Sequence, residues 1–97
     1  LTEGSDERLK ENIEVIPDAL AKVSALRGVT FTRKDTGEKR TGLIAQDVAP
    51  VLPELVDDSG DFLSVRYGNT VGLLVEAIKE QSAQIQALTK RVEELED

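Results

Sequence analysis

The C-terminal stretch of the chain constrains the fold more than any other part. Counting Val71 as position a of a heptad, the a column reads Val71, Ile78, Ile85 and Val92, and the d column reads Leu74, Gln81, Leu88 and Leu95. Only Gln81 breaks the apolar seam. No proline interrupts the run, Asn69 stands ahead of it as a cap, and Glu93, Glu94, Glu96 and Asp97 close it. The spacing predicts one helix of about four heptads, about 40 Å long. From Val71 to Ile78, Val75 and Ala77 widen the apolar face, so this part of the stripe suits packing on the chain's own strands as well as a seam between chains. From Gln81 onward the face narrows to Ile85, Leu88, Val92 and Leu95, flanked by Gln84, Gln86, Thr89 and Lys90, which is the pattern of an interchain seam. Self-association follows. β-Branched residues at a with Leu at d favour two strands, whereas a polar Gln81 in the seam can change both register and strand number.

What precedes this helix is small. A chain of 97 residues buries a smaller share of its surface than a typical domain, and its aromatic residues are only Phe31, Phe62 and Tyr67. Its own core is expected to be marginal and to draw on partner chains. The chain begins at Leu1 without an initiator Met and reads as a piece of a larger protein. Cys and His are both absent, which excludes disulfides, the usual zinc ligands and His-based catalytic triads. Net charge is −7, and residues 46–97 carry most of it, with four basic and eleven acidic side chains against eight and eight in residues 1–45. That balance argues against nucleic-acid binding, which needs a basic face. No apolar run approaches a membrane span and no signal peptide is visible, so a soluble module with no membrane partner is expected. Asp57, Asp58 and Asp61 lack the spacing and terminal Glu of an EF-hand loop and read as a solvated turn, so neither a metal nor another cofactor is expected.

The intervening elements are short. Ser5 to Asn12 reads as a helical turn with Ser5 as N-cap, Asp6 and Glu7 at its positive end and Lys10 near its exit. Pro17 suits the first position of a second helix in which Leu20, Val23 and Leu26 recur at helical spacing, with Gly28 as its stop. From Val29 the period changes to two, and Asp35-Thr36-Gly37 turns the chain into a return segment ending near Leu43 and Ile44, which predicts a β-hairpin. Gln46 to Leu52 suits a short helix interrupted at Pro50, and Pro53 pushes Leu52 towards extended backbone. After the acidic turn, Leu63, Val65 and Tyr67 alternate with Ser64 and Arg66 and predict a strand from Phe62 to Tyr67. The fold class expected is α+β: a globular part over residues 1–68 and a coiled-coil helix over residues 69–97, in one domain.

Seven separated stretches, in order, resemble the intramolecular chaperone and auto-processing domain at the C-terminal end of phage tailspikes, endosialidases and tail fibres. They are Ser5-Asp6-Glu7-Arg8-Leu9-Lys10-Glu11-Asn12-Ile13, Ala19-Leu20-Ala21-Lys22-Val23, Gly28-Val29-Thr30-Phe31, Gly42-Leu43-Ile44-Ala45-Gln46-Asp47-Val48, Pro53-Glu54-Leu55-Val56, Leu63-Ser64-Val65-Arg66-Tyr67 and Leu73-Leu74-Val75-Glu76-Ala77-Ile78-Lys79-Glu80. Where this chain reads Gly68-Asn69-Thr70-Val71-Gly72, the family usually has a more apolar lead into the long helix. The resemblance implies a homotrimer rather than the dimer favoured by periodicity. It also implies a module that registers an upstream fibrous or β-helical segment of the same polypeptide, in the host cytoplasm during virion assembly, and then releases itself by cutting at its own N-terminal boundary. A related version releases membrane-bound transcription factors, and a trimerisation module that does not cleave is a further alternative.

The same resemblance marks Ser5 and Lys10 as a catalytic dyad, with the cut flanking Ser5 among Gly4, Ser5 and Asp6. Without the resemblance, Ser5 is an ordinary N-cap and Lys10 a solvated cation. Without His, a serine nucleophile needs another base, and a free lysine of pKa about 10.4 is neutral in roughly one molecule in two thousand at pH 7. Drying of the amine at an interface between subunits would raise that fraction and couple cleavage to assembly. On one regular helix a spacing of five places the side chains about 140° apart, where they do not meet. Either Ser5 precedes the helix, in a segment that Gly4 makes accessible, or the pair forms between subunits. Attack on the Gly4 carbonyl passes through a five-membered ring, whereas the Ser5–Asp6 bond, which the resemblance favours, needs a nucleophile or water delivered in another geometry. The sequence names no oxyanion donors, although backbone N–H groups at the start of the first helix would be suitable.

Overall fold

The computed structural model describes residues 2–96; Leu1 and Asp97, the last residue of the predicted helix, lie outside the described residues. The heptad run forms the longest element, α3, continuous from Thr70–Glu96 over 27 residues. At 1.5 Å per residue this is about 40 Å, and it accounts for the extended shape, 61 × 38 × 25 Å.

The first half of α3 is the wall on which the rest is built. It packs on α1 (Ala19–Ser24). The residues it buries are Leu73 and Ala77, which join Ala19, Val48 and Leu55 in the core. Around these lie partly buried Ile16, Leu20, Val23, Leu26, Leu43, Leu52, Val56 and Val65. Leu73 and Val48 are the largest fully buried side chains, each worth about 1.5–3 kcal/mol of apolar transfer. Such a core is thin, as the length and aromatic content predict.

The sequence left open whether the seam stripe from Val71 to Ile78 packs on the chain's own strands. It does not. The buried residues fall at heptad positions c and g, while Val71, Leu74, Val75 and Ile78 remain exposed by 58%, 46%, 48% and 65%. The intrachain partner is α1, not a strand. Beyond Glu80, every described residue of α3 is exposed.

The predicted hairpin is present. Strands β1 (Val29–Thr32) and β2 (Lys39–Gly42) pair antiparallel with Val29 opposite Gly42 and Thr32 opposite Lys39. Gly37, at φ 75°, makes the reversal in the left-handed region, where glycine carries no steric cost. Gly42 is required for another reason. A Cβ there would collide with the Tyr67 hydroxyl. That hydroxyl accepts from the Leu43 N–H at 3.0 Å and donates to the Leu43 carbonyl at 3.4 Å, tying the hairpin end to the turn that leads into α3.

Three elements differ from their sequence expectations. α1 starts two residues after Pro17, because Asp18 takes a left-handed conformation (φ 52°), and it ends at Ser24, before Gly28. The strand expected from Phe62 to Tyr67 is confined to β4 (Ser64–Val65), paired antiparallel with β3 (Val56–Asp57). The Arg66 N–H then donates to the Leu55 carbonyl at 2.7 Å, and Tyr67 opens a 3-10 turn, so the partner runs out on both sides. Finally, Ser5 is not a cap. The first helical turn is a 3-10 turn, Glu7–Leu9, whose N-cap is Asp6. The short helix around Gln46 is α2 (Ala45–Val48), and Leu52 before Pro53 lies outside the helical region at φ −151° and ψ 86°, short of the fully extended backbone expected of it.

Candidate functional site

The 3-10 turn sets the geometry around Ser5. Asp6 Oδ1 accepts from the Arg8 backbone N–H at 2.8 Å, which closes the turn, and the Arg8 guanidinium adds two bonds to the same carboxylate at 3.1 and 2.8 Å. The side-chain bonds from Arg8, followed by the backbone bond, hold the Asp6 carboxyl below the usual carboxylate range. Asp6 and Arg8 are thus a clamp on the turn. The sequence places Asp6 at the positive end of the turn, and its spacing of two from Arg8 carries no helical signal that would join them.

The turn is so short that its two flanks come back together. Ser5 precedes it, Lys10 follows it in extended backbone (φ −124°, ψ 148°), and Lys10 Nζ donates to Ser5 Oγ at 2.8 Å within one chain. The side chains that a regular helix would separate by about 140° therefore meet. With the amine neutral, the same contact reverses, the hydroxyl donating to nitrogen, which is the arrangement a base needs for taking the serine proton. Gly4 and Asp6, which flank Ser5, are exposed, as are Ser5 and Lys10 themselves.

Three backbone N–H groups of the turn are already engaged. The Leu9 N–H donates to the Asp6 carbonyl and the Lys10 N–H to the Glu7 carbonyl, both at 3.0 Å, and the Arg8 N–H is held by Asp6. These three are not free to meet a developing oxyanion.

The predicted seam residues lie on one side of α3 and are unpartnered within the chain. Ile85, Leu88, Val92 and Leu95 are exposed like Val71, Leu74 and Ile78, and Gln81 lies among them. Asp57, in the acidic turn, accepts from the Ser59 N–H at 2.9 Å, an ordinary Asx-type turn. Among the described residues no helix is long and apolar enough to cross a membrane.

The chain is thus a thin α+β unit with a Ser–Lys pair at its N-terminal edge and a projecting helix whose apolar stripe is exposed among the described residues. The chain belongs to the peptidase family described as the chaperone of endosialidase, whose model matches residues 5–57, more than half of the sequence. It is 36% identical over 98 residues to the long tail fiber protein Gp37 of Enterobacteria phage T2, covering 91% of this chain and 7% of that protein. Against Gp37 of Escherichia phage AR1 the identity is 35% over 78% of this chain and 8% of that protein. Against Gp37 of Enterobacteria phage Ox2 it is 36% over 87% of this chain and 38% of that protein. The chain thus spans well under half the length of these relatives.

Proposed function

We propose that the chain is the trimerising chaperone module of a phage tail-fibre protein and that it releases itself by autoproteolysis at Ser5. Three copies dock through Val71, Leu74, Ile78, Gln81, Ile85, Leu88, Val92 and Leu95 of α3 and bring three upstream fibre segments into register in the host cytoplasm, before the virion is complete. Family membership and the Gp37 relatives support the chaperone role, and the uncovered seam supports assembly.

The observation that carries the chemistry is the 2.8 Å contact between Lys10 Nζ and Ser5 Oγ across the 3-10 turn. Lys10, once neutral, takes the hydroxyl proton. The Ser5 oxygen attacks the carbonyl carbon of the scissile bond and forms an ester, the departing amine takes up a proton, and water hydrolyses the ester. Activity is tied to assembly because both side chains stand in water in a single chain and a partner is what can enclose them.

The test uses the chain with its upstream segment attached. Wild type is expected to yield two fragments on a denaturing gel, while Ser5→Ala and Lys10→Ala each leave full-length chains that still sediment as trimers. Cleavage by either variant refutes the dyad. The mass and N-terminal sequence of the released product identify which bond flanking Ser5 is cut. The exposure of both side chains also suits a second reading, a trimerisation module that does not cleave. Wild-type trimers that stay intact with their native upstream segment decide for it.

A further inference from the structure

The segment between the dyad and α1 presents apolar side chains to water. Leu9, Ile13 and Val15 are exposed by 76%, 66% and 73%, in a chain with five buried core residues among those described. The segment after Asn12 has no regular secondary structure, and its next residue, Ile16, is partly buried against the core. Ile16 is thus the inward residue of the segment, while Ile13 and Val15 stay in water. None of the described residues covers them.

The segment's position relative to α3 indicates what does. Ile16 Cδ1 lies 3.8 Å from where a Cβ on Gly72 would be, so this arm runs alongside the first turns of α3. Gly72 is at heptad position b, about 100° around the helix from the a position, and Val75, at e, stands at about 40° between the two. Val75 is 48% exposed. Val75 thus stands on the helix surface between the seam and the side of α3 on which Ile16 lies. A partner seated on the seam and on Val75 approaches the arm from that side.

We infer that a second copy of this chain, docked on the seam, also covers the strip formed by Leu9, Ile13 and Val15, and that this cover is what takes water away from the Ser5–Lys10 pair. The inference rests on the trimeric reading and gives it a surface outside the coiled coil. Leu9 Cδ1 lies 3.7 Å from where a Cβ on Gly4 would be, so the strip ends beside the residue that precedes Ser5, and a partner seated on Leu9 stands next to the dyad.

Two measurements test it. Hydroxyl-radical footprinting compares the wild-type chain with the Ile85→Asp/Leu88→Asp variant, whose changes fall in the projecting half of α3 and leave the core intact by circular dichroism. The side chains of Leu9, Ile13 and Val15 are expected to be oxidised at least fivefold more slowly in the wild-type assembly than in the dissociated variant. Equal oxidation overturns the inference whether or not the chain cleaves. In the chain with its upstream segment, Ile13→Ser/Val15→Ser is expected to slow cleavage at least tenfold in trimers that persist through the coiled coil, and Ile13→Leu to retain it. A double variant that cleaves at the wild-type rate overturns the inference while leaving the dyad standing. A wild-type chain that never cleaves overturns the dyad reading, and footprinting then decides the strip alone.

Discussion

Glu80 holds α1 against α3, and its removal should be the most informative single perturbation of the fold. Its Oε1 accepts from the Ala19 N–H at 3.0 Å and its Oε2 from the Leu20 N–H at 2.7 Å. These are the first two N–H groups of α1, which an N-cap side chain normally serves. Asp18, in the left-handed region, makes no side-chain cap bond, so the cap comes from a residue 60 positions away. Loss of a side-chain cap costs about 1 kcal/mol, and a bond to a charged acceptor is worth about 1.5–3 kcal/mol. Because both sites are only part-buried, water recovers some of this. Glu80→Ala should therefore cost about 2 kcal/mol, and Glu80→Gln, which keeps one acceptor but loses the charge, about 1 kcal/mol. Urea unfolding followed by circular dichroism measures this, with protomer concentration fixed because association shifts apparent stability. For a slope of about 1–3 kcal/mol/M, the Glu80→Ala midpoint should fall by about 1 M. Glu93→Ala, at the exposed end of the same helix, is the control for lost charge and helix propensity. If the Glu80→Ala midpoint matches that of Glu93→Ala, the tertiary cap does not exist.

Four further outcomes are expected. Gly42→Ala forces a Cβ onto the Tyr67 hydroxyl and should cost about 1–3 kcal/mol; combined with Tyr67→Phe the two costs should fall short of their sum, and strict additivity in thermal melts would count against the close packing. Leu73→Ala should destabilise by about 2–5 kcal/mol at any concentration, because Leu73 is buried within its own chain. Leu88→Ala should act only through assembly, its effect fading on dilution; a concentration-independent loss would place Leu88 in the intrachain core. Asp35 has its carboxyl lowered from 3.8 to about 2, chiefly by the Arg33 side-chain bonds. The sign is that of a depressed acid: its contribution to the hairpin is present above pH 3.8 and is lost as the pH falls towards 2. Carboxyl shifts followed by NMR should show that titration, and its absence from the range below pH 3.8 would refute the ion pair.

Local signals in the sequence were read correctly where local physics decides the structure. The heptad run of α3 is one, since side-chain periodicity along a helix depends on nothing beyond the helix. The hairpin is another, with its change of period at Val29 and its turn at Gly37. The Ser5–Lys10 spacing likewise restricted the geometry: five residues do not meet on a regular helix, and Ser5 does precede the turn. What escaped is tertiary. Alternation from Phe62 to Tyr67 looked like a full strand, yet strand length is set by the partner, and β3 offers only Val56–Asp57. Pro17 suggested a helix start, but the start is fixed by Glu80, and no residue near α1 announces it. The Asp6–Arg8 clamp displaced Ser5 as the cap because a carboxylate with a guanidinium behind it holds the turn more firmly than a lone hydroxyl.

The heptad assignment left one question that only the structure answers, namely how α3 can serve both its own core and a seam. The core residues Leu73 and Ala77 and the cap Glu80 fall at c and g, centred about 110° around the helix from the a/d seam. Separation of the two stripes means that a chain can close its small core without occupying the seam, and that assembly need not open the core. It also divides the helix along its length. Up to Glu80, α3 is held by α1, whereas from Gln81 onward each described residue is exposed. A helical segment of that length is marginal in water on its own. Here it continues unbroken from a half already packed on α1, so the costly nucleation step is made within the chain.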